Sequence, residues 1–348
     1  MRFLLIVGTA LAGLIAISWS RPLLHFRLLD FEHYVLASRL LWRGQSPYGT
    51  VEFFAPPWLA LLLVPFLLLP AHVAPLVWIL VNMSCVCGAA ILSVHWLGLS
   101  SLGRWKPLSL LCIALMPASL FCYVTGQISP LVGLAVLLAA WQLSSRRPRS
   151  WVVAVGLVAA TVKPHIVLLP ALLCILELVR CRNWRMLGWL AVGMTIVTVF
   201  AYVTDPNWFP GLVAAWQRGD FRGGKLGLVS PGYVGLSELG MPSWLFIPLG
   251  AYVLYQWRAQ GLTATTTALA FSVSLLLVPY SRSYDYVVLV LPILSLAVAR
   301  AWSKALALVI VVLSVVILPI TVLSVLVPVL VTLGLLLAKA THNIDCSQ

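Results

Sequence analysis

The sequence predicts an all-α fold of the polytopic integral membrane class, and three observations predict it. Hydrophobic residues fill 62% of the 348 positions, charged residues only 9%, and the mean hydropathy is +1.04. A soluble domain carries roughly a quarter charged residues, so most of this chain cannot face water. The apolar runs recur at about the 20 residues that a hydrocarbon core demands. They also lack the in-and-out alternation of an outer-membrane barrel, so the spans are read as helices.

The elements follow in order. Phe3 to Trp19 has the Arg2 and apolar run of a secretory signal, but "ISWSRPLL" offers a poor small-residue cleavage site, and the segment is read as a retained span. A polar loop, 20–57, comes next. "WLALLLVPFLLLP" at 58–70 makes only about 20 Å of helix against a core of about 30 Å and contains Pro65, so it is read as interfacial or re-entrant. Apolar segments follow at 73–97, 107–123, 127–143, 150–162, 164–179 and 186–204, then a second polar loop at 205–243. The rest are 244–258, 261–278, 284–300 and 303–338, the last long enough for a helical hairpin broken near Pro319. No repeat or linker divides the chain, which is read as one domain over 1–348. Seven cysteines, mostly inside apolar runs, form neither a disulfide framework nor a zinc spacing.

Lys and Arg concentrate in cytoplasmic loops. Arg104, Lys106, Arg146, Arg147, Arg149, Arg180, Arg182, Arg185, Arg258, Arg300 and Lys304 are therefore placed inside. Counting back puts Gln127, Lys163, the 205–243 loop and Ser281 to Asp285 outside. With 58–70 not crossing, there are about 12 transmembrane helices and both termini are cytoplasmic. Only Glu177 and Asp345 among the acids then face inward, so the net charge of +13 is mostly a topology signal. Nucleic-acid binding would need basic residues clustered with aromatics on a soluble face, and no such patch exists.

The outer loop opens with "DFEHYVLASRLLWRG". Phe31, Tyr34, Val35, Ser38, Leu41 and Trp42 fall on one helical face and Glu32, Arg39 and Arg43 on another, as in a helix lying in the interface. Asp30 sits at its start, where a carboxylate either caps the helix or points into whatever the outer loops enclose.

Asp30, Tyr34, Ala37, Leu40, Leu41, Gly44, Pro47 and Tyr48 resemble the first outer-loop pattern of family 87 glycosyltransferases, which have the GT-C fold. The resemblance continues through "FFAPPWLALLLVP" (53–65), "PASLFCYVTGQISPL" (117–131), "VAATVKPHIVLLP" (158–170) and "VPYSRSYDYVVLVLP" (278–292), in the same order. It implies juxtamembrane helices in the first outer loop and Asp30 as catalytic base. The implied reaction moves a sugar, mannose-like, from a polyprenyl-phosphate donor to a lipid or glycan acceptor on the extracytoplasmic face of the cell membrane, with inversion and no cofactor.

On that reading the acceptor proton goes to Asp30, and the leaving phosphate wants Arg or Lys near it. Lys163, beside Pro164, either meets that phosphate or snorkels to the interface. Arg282 and Asp285 either serve the site or pair with each other. Tyr284 and Asp285 stand where one branch of the family has paired histidines. His165 is either a second proton carrier or a satisfied polar residue, and Gln127 and Tyr34 complete the expected substrate-binding set. Asp220 and Arg222 lie in a glycine-rich loop suited to closing over an acceptor or to plain solvation. No metal site is expected, because Asp30 and Glu32 do not share a helix face. A transporter or lipid-linked-sugar flippase is the rival reading; it calls for an inverted repeat, and none is visible.

Overall fold

The computed structural model describes residues 28–99, 111, 113–218, 243–278, 281–298 and 326–345. Among these it is all-helical, 80% helix without strands. The expected span at 3–19, the break near Pro319, and Asp220 and Arg222 lie outside the described residues.

Proline sets where several helices begin. After α1 (Leu29–Trp42), the helices α2 (Pro57–Leu62), α3 (Ala74–Trp96), α4 (Pro117–Thr125) and α5 (Ser129–Ser144) each carry Pro in the first two positions. There the fixed φ suits a helix and the missing N–H loses no partner. Next come α6 (Ser150–Ala160), α7 (Leu168–Arg180), α8 (Trp184–Thr204) and α9 (Trp208–Arg218). The series closes with α10 (Ile247–Gln260), α11 (Ala264–Leu277), α12 (Val290–Val298) and α13 (Leu326–Asp345).

Helices α3 and α8 are long and apolar enough to cross a membrane, while α5, α6, α11 and the start of α13 are shorter apolar helices. The outer surface of α8 shows why water is the wrong solvent for it: Val192, Ile196, Val199 and Phe200 are exposed and Val203 is 76% exposed. In the interior, α11 is buried from Thr266 through Leu276 and packs against α7, α10, α12 and α13. Helix α5 sits between α3, α6 and α7.

Several segments are more broken than their apolar runs suggest. The run at 107–123 is not one helix, since α4 starts afresh at Pro117 and holds Met116 extended (φ −62°, ψ 147°). The stretch 58–70 splits into α2 and a 3-10 turn, Val64–Leu68, leaving only about 9 Å of continuous α-helix. Further 3-10 turns, Pro164–Val167, Ser243–Phe246 and Ser283–Leu289, precede α7, α10 and α12. On α1, Phe31, Ser38 and Leu41 are buried as expected and Tyr34 and Val35 partly so. Trp42 is the exception at 74% exposed, because α1 ends there and the chain turns away. Ser38 ties α1 to α2 by donating to the Ala60 carbonyl at 2.6 Å.

Glu177, expected on the inner side, also has a structural account. Its carboxylate accepts from Arg180 Nη2 at 2.7 Å and from the Trp257 indole at 2.8 Å, joining the end of α7 to α10.

Candidate active site around Asp30

Asp30 lies in the first turn of α1, and that turn is fixed by aromatic packing. The Phe31 ring stacks on Trp78 of α3 (5.4 Å, 21°) and meets Phe66 edge-on at 5.5 Å. The Trp78 indole in turn donates to the Gly126 carbonyl at 2.8 Å. Gly126 closes α4 in the left-handed region (φ +74°), and a Cβ there would stand 2.6 Å from Phe31 Cβ. Only glycine permits both that dihedral and that approach. The three residues therefore clamp the start of α1 against the α4–α5 junction, where Gln127 follows.

Asp30 is not a helix cap. The N-cap position is Leu28 and no side-chain cap bond forms. The carboxylate instead accepts a hydrogen bond at Oδ2 from Gln127 Nε2. Burial raises the Asp30 carboxyl above its ordinary range, and the charges of Arg282 and Lys163, the Gln127 N–H and His33 oppose that rise.

Gln127 is 2% exposed, and its other amide atom, Oε1, accepts from Lys163 Nζ at 3.0 Å. Lys163 immediately precedes Pro164, which keeps it out of the helical region (φ −142°, ψ 67°) and interrupts the path from α6 to α7. Its ammonium also donates to Ser129 Oγ at 2.8 Å and to Asp285 Oδ1 at 2.5 Å, and stands 4.6 Å from the Tyr284 ring centroid. Asp285, 1% exposed, takes the Ser129 hydroxyl at Oδ1 (2.8 Å) and the Arg282 backbone N–H at Oδ2 (3.0 Å). His165 Nε2 lies 3.9 Å from that same Oδ2. Of the two readings for Asp285, service to the site or pairing with Arg282, the structure gives it an ion pair with Lys163 and a hydrogen bond from the Arg282 backbone N–H.

The Arg282 guanidinium lies 5.7 Å from the Tyr284 ring centroid, on which Lys163 also rests. Tyr284 is held through its carbonyl, which accepts from the Cys122 thiol at 3.2 Å. Tyr34, one turn beyond Asp30, is close enough to Asp30, Asp285 and Arg282 to feel their charges. The expected set of Asp30, Tyr34, Gln127, Lys163, His165, Arg282, Tyr284 and Asp285 is therefore gathered from four separated stretches of chain.

Sequence reasoning passed over Ser129, Trp78 and Cys122. Ser129 carried a signal, since it is a hydroxyl two positions after Gln127 at the mouth of an apolar segment, beside Pro130. Trp78 and Cys122 carried none, because an aromatic or a cysteine inside an apolar run reads as core. Among the described residues no three His, Cys, Asp or Glu side chains gather as a metal-holding group.

No curated protein and no solved structure matches the chain. The glycosyltransferase family 87 model matches residues 53–279. That stretch carries Gln127, Ser129, Lys163 and His165; the 282–285 turn lies just beyond its end and Asp30 lies well before its start. Matched over more than half its length, with its apolar helices and clustered polar groups, the chain belongs to glycosyltransferase family 87.

Proposed function

We propose that this glycosyltransferase moves a hexose, mannose-like, from a polyprenyl-phosphate donor to a lipid or glycan acceptor on the extracytoplasmic face of the cell membrane. The observation that carries the reading is the cluster itself. A half-buried carboxylate, two cations and their hydrogen-bonding partners meet in a chain of which only 9% of the residues are charged. Such groups are costly within an apolar protein unless they have work to do.

In the reaction, Asp30 takes the proton of the acceptor hydroxyl as its oxygen bonds to the anomeric carbon. The bond from that carbon to the phosphate oxygen breaks, and the lipid phosphate departs with the electron pair. One in-line displacement inverts the anomeric configuration. Arg282 supplies positive charge where negative charge grows on the leaving phosphate, and Lys163, Tyr34, His165, Tyr284 and Asp285 line the site. The architecture in this proposal is a single GT-C domain of about 12 spans, with both termini cytoplasmic and α1 and α2 as juxtamembrane helices beneath the outer loop. A lipid-linked donor suits that face, because it diffuses in the membrane plane.

Purified protein in liposomes, given a panel of radiolabelled polyprenyl-phosphate hexoses and nucleotide sugars, tests the reading. Label moves to lipid or glycan from a polyprenyl-phosphate sugar, mannose first. Transfer only from a nucleotide sugar overturns the donor assignment.

A further inference from the structure

We infer that Lys163 and Gln127 are positioning residues for the Asp30 base, forming a relay that runs from Asp285 and Ser129 through Lys163 and Gln127 to one oxygen of Asp30. The inference rests on the base reading above and gives the second cation a different task from meeting phosphate.

The chemistry of the donors fixes the direction of the relay. A lysine ammonium has three hydrogens and no acceptor. Lys163 gives them to three acceptors, Gln127 Oε1 (3.0 Å), Ser129 Oγ (2.8 Å) and Asp285 Oδ1 (2.5 Å). No hydrogen is left for a phosphate oxygen unless one of these bonds breaks. The contact with Gln127 also settles which way that amide points, a choice otherwise ambiguous between its oxygen and nitrogen. Lysine cannot accept, so the atom facing Lys163 is the oxygen, and Nε2 is left to donate to Asp30 Oδ2.

One carboxylate oxygen of Asp30 is thereby occupied, and Oδ1 remains to receive the acceptor proton. No capping bond holds the Asp30 side chain, so without Gln127 the carboxylate would rotate about its own bonds. The upstream end is anchored: Asp285 is 1% exposed and bonded at both oxygens, and Ser129 is fully buried. Because each N–H in the relay is polarised by the charge behind it, the donor facing Asp30 is stronger than an isolated amide. Arg282, His33, Lys163, Tyr34, Tyr284 and Cys122 are the other charged or titratable groups facing Asp30, and Arg282 is the cation assigned to the phosphate.

The test compares three variants in detergent-solubilised, full-length protein, with radiolabelled polyprenyl-phosphate mannose as donor. Gln127→Leu removes the bond to Asp30 without adding a charge. Lys163→Met/Asp285→Asn removes both charges of the ion pair together, so neither is left buried alone. Each lowers kcat by about 10- to 100-fold, the loss typical of outer-shell partners. The donor KM stays within about twofold, the mark of an interaction that serves the transition state. Each also moves the acid limb of the kcat profile to higher pH, because Gln127→Leu removes a hydrogen bond to the ionised form of Asp30 and the double variant removes the Lys163 charge that favours that form. In an Asp30→Asn background, Gln127→Leu costs nothing more, as expected of residues acting as one unit. Binding of undecaprenyl phosphate to Lys163→Met/Asp285→Asn, followed by tryptophan fluorescence, is unchanged. Weakened lipid-phosphate binding with kcat and pH profile intact would make Lys163 a phosphate ligand and end the relay. Full activity in Asp30→Asn is a separate result that removes the base itself.

Discussion

Replacing Asp30 with Asn is the most direct probe of the chemistry. Asn keeps nearly the same shape, and its side-chain oxygen can still accept from Gln127 Nε2. The helix loses no cap, because Asp30 makes none, and the clamp of Phe31, Trp78 and Gly126 is untouched. Burial opposes the Asp30 charge while Arg282 and Lys163 favour it, so neutralisation removes a penalty and an attraction together and folding is little changed. What Asn cannot do is take a proton from the acceptor hydroxyl. General base catalysis contributes about 10² to 10⁴ in rate, equal to about 2.7 to 5.4 kcal/mol of barrier. Initial rates of sugar transfer in liposomes, at matched expression and melting temperature, should fall by that factor. Glu32→Gln, two residues on and exposed to solvent, is the control and should retain its rate. Wild-type transfer in Asp30→Asn would refute the base assignment, and a dead Glu32→Gln would move the chemistry along the helix.

Three further outcomes are expected. The proposed mechanism needs ionised Asp30, and burial raises its pKa, so kcat should fall with decreasing pH at a higher value than an ordinary carboxylate near 3.9 would give. Arg282→Gln, by removing the strongest opposing charge, should push that limb higher still; a limb unmoved by Arg282→Gln contradicts this. In a background lacking native cysteines, Thr50→Cys should react with an impermeant maleimide added to intact cells and Ser150→Cys only after permeabilisation, and the reverse pattern would invert the topology. Trp78→Phe keeps the ring on Phe31 but strands the Gly126 carbonyl, and should lower stability by about 1 to 3 kcal/mol; an unchanged melting temperature would show that water replaces the indole.

In a chain this apolar, each polar residue stands out, which is why Asp30, Gln127, Lys163 and the 282–285 turn could be singled out before any fold was known. Their partners could not. Lys163 and Asp285 are 122 positions apart, and nothing local chooses between Arg282 and Lys163 as the counter-ion of Asp285. The choice depends on where Pro164 interrupts the α6–α7 path. Helix existence was likewise legible from apolar runs, but interruptions were not. Hydropathy does not distinguish α-helix from the 3-10 turns at 164–167 and 283–289, because both bury the same side chains. Trp42 was misplaced because helical periodicity says nothing about where a helix stops.

Gly126 has a consequence for tuning such an enzyme. The gap that its missing side chain leaves is the spacer between the helix bearing Asp30 and the junction bearing Gln127, and its width is that of a hydrogen atom. Every other residue would act as a shim, its Cβ standing 2.6 Å from Phe31 Cβ and prising the two apart. A transferase built this way has no adjustment at that joint. On the proposed mechanism its acceptor range has to be widened or narrowed from the far side of the carboxylate, leaving the gauge that sets Asp30 untouched.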